Sequence, residues 1–143
     1  MIIRKAKAED IDVVYAFIND LENTVFDKRK FKRIYLESLK NKNNIHLIAF
    51  DGVALGYISC HIQMLLHHCG PIAEIQELFV VSAERSKGIG KLLVDELKRI
   101  LKKKGVPQIE VTSRLHRTEA HKFYEKESFA WTHKKLIFKV SDN

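Results

Sequence analysis

Glu84-Arg85-Ser86-Lys87-Gly88-Ile89-Gly90-Lys91-Leu92-Leu93 follows the apolar run Ile75-Gln76-Glu77-Leu78-Phe79-Val80-Val81 and opens a stretch with helical periodicity. A strand that feeds a helix through Arg85-x-x-Gly88-x-Gly90 has the chemistry of a pyrophosphate-binding loop. The two glycines let the backbone approach a ligand closely. Successive N–H groups converge there, where the helix dipole favours negative charge. Arg85, Lys87 and Lys91 add positive charge at the same place. Short glycine patterns also open ordinary helices, so this reading depends on what the rest of the chain supplies.

Working outward, strands and helices alternate, which predicts an α/β fold. Residues 2–7 read as a strand. Ile11, Val14, Tyr15, Ile18 and Leu21 recur at helical spacing, so residues 9–21 form an amphipathic helix. Asp27 caps a second helix that buries Phe31, Ile34, Tyr35 and Leu39. Residues 45–50 and 55–64 are strands joined by the turn Asp51-Gly52. Residues 65–71 are a loop and 72–81 the central strand. The helix opened by the glycine loop runs from Gly88 to Lys104, with Ile89, Leu92, Leu93, Leu97, Ile100 and Leu101 apolar. It stops at Gly105, with Pro107 just beyond. Residues 108–112 read as a strand, 118–127 as a helix, and 129–140 as one or two closing strands. No linker or repeat interrupts the series, so residues 1–143 are expected to form one domain.

The bulk properties narrow the function classes. A chain of 143 residues can bury a sound core, and 45% hydrophobic with 30% charged residues suits a globular protein. No apolar run approaches a membrane span, and Met1-Ile2-Ile3-Arg4-Lys5 is too quickly charged for a secretory signal. Cys60 and Cys69 show no metal or redox spacing and read as reduced cytoplasmic thiols, Cys60 as a small core residue. The net charge of +7 suits an anionic partner, either a nucleotide cofactor or nucleic acid. Neither a helix-turn-helix pattern nor the aromatic–basic interleaving of a stacking platform is present, which weighs against nucleic acid. The lysine and arginine runs at 28–30, 98–104 and 134–135 read as solvated helix faces and ends.

A second stretch completes the picture. Ala120-His121-Lys122-Phe123-Tyr124-Glu125-Lys126-Glu127-Ser128-Phe129, together with the glycine loop, resembles the GNAT superfamily of N-acetyltransferases. In that family Arg/Gln-x-x-Gly-x-Gly/Ala holds the pyrophosphate of coenzyme A, and Ala-x-x-Phe-Tyr-x-x-x-Gly-Phe places a tyrosine near the thiol. Ser128 stands where the pattern has glycine, and a serine can adopt the left-handed conformation at a cost of about 1 kcal/mol. The resemblance covers essentially the whole chain. It implies a mixed, splayed central sheet flanked by helices, with strands 72–81 and 108–113 parting to admit the pantetheine arm. Backbone groups of Leu78, Phe79 and Val80 would bind that arm like an added strand, while Arg85, Ser86, Lys87, Gly88, Ile89, Gly90 and Lys91 hold the phosphates. Family habit also implies a homodimer.

Acetyl transfer from a thioester to an amine needs a neutral amine, a donor for the developing oxyanion and a proton for the departing thiolate. Tyr124 is the candidate acid, because a phenol is close in basicity to a thiolate. A core tyrosine with its hydroxyl at the surface is the plainer alternative. A backbone N–H near Phe79 is the expected oxyanion donor. Glu77, just before the pantetheine-binding stretch, is either a base for the amine or half of a salt bridge, and Glu74 reads as structural.

The histidines sharpen the acceptor. His61 and Gln63 share a strand face with Tyr57 and Ser59, His67-His68 lie in the following loop, and His121 precedes Tyr124 by one turn. The spacing matches no standard zinc site. However, His61-x-Gln63-x-x-x-His67-His68, then Glu74 and Glu77, with Phe26-Asp27, Phe31 and Arg117-x-x-Ala120-His121-x-Phe123-Tyr124, resembles the aminoalkylphosphonate N-acetyltransferases. Arg114 departs from that pattern, which has asparagine there. This likeness implies acetyl-coenzyme A as cosubstrate and a small anionic amine as acceptor. His61, Gln63, His67, His68, Arg114 and His121 would bind it, and a divalent metal (Mn²⁺, Co²⁺, Ni²⁺ or Zn²⁺) on His67, His68 and Glu74 would support it. Other amines (a polyamine, an amino sugar, a protein N-terminus) are the enzymatic alternatives, and a basic nucleic-acid-binding regulator is the rival from another class.

Overall fold

The computed structural model describes residues 1–141. Five strands, β1 (Ile2–Lys5), β2 (Asn44–Phe50), β3 (Ala54–Leu65), β4 (Gly70–Val80) and β5 (Ile109–Val111), form one sheet in sequence order. The β1 to β4 ladders are antiparallel, and β5 joins β4 in parallel. Helices α1 (Ile11–Glu22) and α2 (Lys28–Lys40) lie between β1 and β2, α3 (Ile89–Lys103) between β4 and β5, and α4 (Thr118–Lys126) after β5. Residues Met1–Val111 make one compact unit, and a second begins at Thr112.

Local chemistry sets the boundaries. The Asp27 carboxylate accepts from Lys30 N at 3.0 Å and caps α2 as expected. The β2–β3 hairpin turns at Gly52, where φ is +72°. Strand alternation sends Gly56 and Tyr57 to opposite faces. Tyr57 joins Val14, Phe17, Tyr35, Ile48 and Phe79 in a core shared with α1 and α2. Gly56 lies under α3, where a Cβ would stand 3.0 Å from Phe79 O and 3.2 Å from Ile89 and Leu93 atoms, so only glycine admits the helix that closely. Ile89, Leu93, Val94, Leu97 and Leu101 of α3 are buried.

Several expectations need correction. Residues 129–140 form no strand: Leu136, Ile137, Phe138 and Val140 are at least 76% exposed. Alternation supplies strand propensity, but a strand exists only through a ladder partner, and none pairs with this segment among the described residues. The loop expected at 65–71 is shorter, because β3 and β4 pair as far as Leu65 and Gly70, leaving the 3-10 turn Leu66–His68 and Cys69 between them. Ile34 is exposed rather than buried, and of the apolar set of α3 Leu92 is exposed while Val94, outside that set, is buried.

Candidate active site

The β4 strand builds most of the site through two irregularities. Its pairing with β5 covers only Ala73, Glu74 and Ile75, so from Gln76 to Val80 that edge has no ladder partner among the described residues. This is the opening expected for an added strand, beside Leu78, Phe79 and Val80. The second irregularity is a bulge against β3: Ser59 faces Glu77, but Cys60 faces Ile75, which leaves Gln76 as the extra residue. Without it, strand periodicity would send Glu74 and Glu77 to opposite faces. With it, both share the face of Ser59 and His61.

A cavity of about 420 Å³ opens on that face, lined by Ser38, Asn44, His46, Ser59, Cys60, His61, Gln63, Glu74, Gln76 and Glu77. Ser59 Oγ donates to Glu77 Oε1 at 2.7 Å and accepts from Glu77 N at 3.2 Å. Burial raises the Glu77 carboxyl above its usual range; the Ser59 hydroxyl opposes that, and Glu22 reinforces it. Gln76 Nε2 donates to Glu74 Oε1 at 3.0 Å. Burial pushes the Cys60 thiol up to about 12, which makes it an inert core thiol. Sequence reasoning found His61, Gln63, Glu74 and Glu77. It missed Ser38, Asn44 and His46, which come from α2 and β2 and reach the cavity only through pairings distant in sequence.

A second cavity, of about 630 Å³, lies between the end of α1 and the end of β4, lined by Asn19, Asp20, Asn23, Thr24, Val25, Phe79, Val81, Ser82 and Arg85. Arg85 Nε donates to Val80 O at 3.0 Å, and its guanidinium lies 5.7 Å from the Phe79 ring centre. Beyond it the glycine loop alternates sharply. Ser86 has φ +65° and Gly88 +86°, and no side chain caps α3. Helix geometry leaves the first-turn N–H groups of Ile89, Gly90 and Lys91 without intrahelical acceptors, so the loop is a nest for an anion. Lys87 and Lys91 pair at the surface with Glu84 at 3.3 Å and Asp95 at 3.2 Å. Such exposed pairs are worth at most about 1 kcal/mol, so an anion can compete for both lysines.

In the second unit, Tyr124 packs edge-on to Phe123 and Phe129, with ring centres 5.3 and 5.4 Å away. Burial pushes its phenol up to about 12, opposed by the charge of Arg117. Ser128 has φ +72°, and Phe129 N donates to Tyr124 O at 2.9 Å, so serine ends α4 in the conformation usually given to glycine. His121 Nε2 meets Arg114 O at 2.8 Å, and its ring meets Trp131 edge-on.

His67, His68 and Glu74 do not come together. The two imidazoles sit on the exposed turn at the tip of the β3–β4 hairpin, 4.5 Å apart. Glu74 pairs with His61 four residues beyond Gly70, about 13 Å along the strand, whereas ligands to one ion lie about 2 Å from it. Among the described residues no three His, Cys, Asp or Glu side chains could hold a metal. The expected ligand set does not fit the ion. His67 and His68 line neither cavity, so the structure sets them apart from Glu74 and Glu77.

A glycine loop leading into first-turn N–H groups without intrahelical acceptors follows the bulged strand, with one cavity at the end of β4 and a carboxylate-bearing cavity on the face of Ser59 and His61, an arrangement that suits acyl transfer to an amine. The chain belongs to the acetyltransferase (GNAT) family, whose model matches residues 11–129. It is 33% identical over 132 residues to the aminoalkylphosphonate N-acetyltransferase of Salmonella typhimurium (strain LT2), covering 92% of this chain and 86% of that protein. Among solved structures, a transcriptional regulator from Bacillus halodurans C-125 matches with a TM-score of 0.89 at 26% identity, over 97% of this chain and 99% of the other. The aminoglycoside N-acetyltransferase AAC(6')-Iy in complex with coenzyme A matches with a TM-score of 0.86 at 20% identity, over 96% of this chain and 93% of the other, which shows the shared fold. No helix among the described residues is long and apolar enough to cross a membrane.

Proposed function

We propose that the protein uses acetyl-coenzyme A to acetylate the primary amine of a small aminoalkylphosphonate, or a similar anionic amine, by direct attack. The observation that carries this reading is the raised Glu77 carboxyl in a cavity lined by two glutamates and two histidines, with no lysine or arginine. Such a lining attracts an ammonium group and offers it a base. The amine nitrogen loses a proton to Glu77 and attacks the thioester carbonyl, whose oxygen takes a backbone N–H near Phe79. As the C–S bond breaks the thiolate takes a proton from Tyr124, and the surplus proton that the amide nitrogen then loses restores the phenol. The glycine loop from Arg85 to Lys91 holds the pyrophosphate. Arg114 and His121 are the proposed partners of the phosphonate. Support for the phosphonate comes from the named activity of the 33% identical relative.

The test is acetyl-coenzyme A consumption across a panel of amines, with a chelator and with added Mn²⁺, Co²⁺, Ni²⁺ or Zn²⁺. Aminomethylphosphonate should rank among the best acceptors. Brisk turnover of a polyamine or amino sugar, with none of any aminophosphonate under every condition, would overturn the substrate class. Salt-sensitive retention on nucleic acid without coenzyme A binding would favour the regulator reading, which the name of the Bacillus halodurans neighbour also raises.

Glu77 makes a second expectation with two signs. As a base it must be ionised, so kcat/KM should fall as pH drops through its raised pKa, and Glu77→Gln should remove that limb along with most activity. Stability should move the other way. A carboxyl raised by folding stabilises fully below its unfolded pKa, and that contribution is lost as pH rises through the folded value. Glu77→Gln retains an acceptor for Ser59 and removes the buried charge. Its thermal midpoint should exceed the wild type near neutral pH, with the gain shrinking towards about pH 4. A variant less stable than the wild type at neutral pH would contradict the burial argument.

A further inference from the structure

A hydrogen-bonded chain crosses the floor of the acceptor cavity. Tyr57 Oη lies 2.7 Å from His46 Nδ1, His46 Nε2 lies 2.8 Å from Ser38 Oγ, and Ser38 Oγ lies 2.9 Å from Asn44 Nδ2. Asn44 Oδ1 in turn meets His61 Nδ1. The chain gathers β3, β2 and α2, and it is anchored in the core, because Tyr57 is 2% exposed. Burial also holds the His46 imidazole below its usual range, so the middle of the chain stays neutral.

Proton directions along this chain follow from which atoms can only accept. Asn44 Nδ2 also reaches the Ser38 carbonyl oxygen, at 3.4 Å, and a carbonyl has no proton to give. The amino end of the Asn44 amide therefore faces Ser38, and its oxygen faces His61. An amide oxygen can only accept, so His61 must donate from Nδ1. In the neutral imidazole the other nitrogen, Nε2, then carries a lone pair and no proton. This is the tautomer that free histidine disfavours, and here the network enforces it. Reversing the amide would leave the Ser38 carbonyl facing an oxygen.

We propose that His61 Nε2 is the acceptor-recognition atom of the cavity, accepting a hydrogen bond from the substrate's amine, and that Asn44 is its positioning residue. The proposal rests on the reading of this cavity as the acceptor site. Glu77 takes one amine proton, and His61 holds another N–H of the same nitrogen and so aims its lone pair. Ser38 and His46 act through Asn44 without touching substrate.

The closing experiment pairs a spectroscopic readout with kinetics. Long-range ¹H–¹⁵N correlation spectra of the imidazoles report which ring nitrogen of His61 is protonated, independent of any activity. The wild type should show Nδ1–H. Asn44→Ala should shift the population to Nε2–H and raise the KM for the amine about tenfold, with the KM for acetyl-coenzyme A unchanged. Asn44→Asp keeps an oxygen towards Nδ1 and so an Nδ1–H, but its charge favours the imidazolium, which protonates Nε2 as well, so the amine KM should stay raised. Wild-type His61 found as Nε2–H overturns the proposal. So does an Asn44→Ala enzyme with unchanged tautomer or unchanged amine KM, and in each case an active wild type leaves the acetyltransferase reading intact. A wild type that binds coenzyme A but acetylates no amine in the panel overturns the acceptor reading and, with it, the role of His61.

Discussion

Gly88→Asp should weaken coenzyme A binding by on the order of 100-fold while leaving the protein folded. The two halves of this expectation have separate grounds. A Cβ at Gly88 meets nothing within 4 Å, so no neighbour is displaced. The backbone there is left-handed, at φ +86°, and aspartate tolerates that conformation at a cost of about 1 kcal/mol. An aspartate at this helix cap can itself accept from the first-turn N–H groups of α3, which would offset part of the strain. The same contact destroys the anion site, because a fixed carboxylate then occupies the donors and repels a pyrophosphate. Losing two charge-assisted hydrogen bonds at about 1.5 kcal/mol each already gives that factor. Gly88→Asn separates the terms by occupying the donors without charge, and its loss should be intermediate. Titration calorimetry, with thermal melts to establish folding, makes the measurement. A folded Gly88→Asp protein with wild-type affinity would move the pyrophosphate away from this loop.

The contrast between what was legible in the sequence and what was not has a physical basis. Asp27, Gly52 and Gly105 each act within a few residues of themselves, on a cap or a turn, and each stands where expected. Ser128 likewise takes the left-handed conformation anticipated from its place in the motif. The glycine loop is legible for the same reason, since its N–H groups belong to consecutive residues. The carboxylate-bearing cavity is a different kind of object. Its two carboxylates share a face only because Gln76 is an extra residue against β3, and a bulge is decided by pairing between strands. Asn44, His46 and Ser38 are unremarkable polar residues until β2 pairs with β3 and α2 packs against the sheet. Ile34 and Leu92 show the limit of periodicity. A helix face can read as apolar and still extend beyond the surface that covers it. Residues 129–140 show the same limit for strands, where side-chain alternation carries no information about a backbone partner.

Tyr124→Phe carries the other large expected effect, a fall in the rate of acetyl transfer of about 100-fold if thiolate protonation limits turnover. The substitution is conservative in packing, because the ring sits edge-on to Phe123 and Phe129 and a phenylalanine can keep both contacts. The acetyl-coenzyme A affinity should therefore stay within about twofold of the wild type, since the hydroxyl is proposed to act only as the C–S bond breaks. The phenol pushed up to about 12 adds a sharper condition. A general acid must hold its proton, and this one does so throughout the usual assay range. The wild-type profile should show no basic limb from Tyr124 below about pH 10, and the variant should be lower at every pH without a change of shape on that side. A basic limb that vanishes in the variant would assign Tyr124 a lower pKa than its burial allows. Single-turnover measurements that find acetyl transfer equally fast in both proteins would remove the tyrosine from the chemistry and leave it as a packed aromatic of α4.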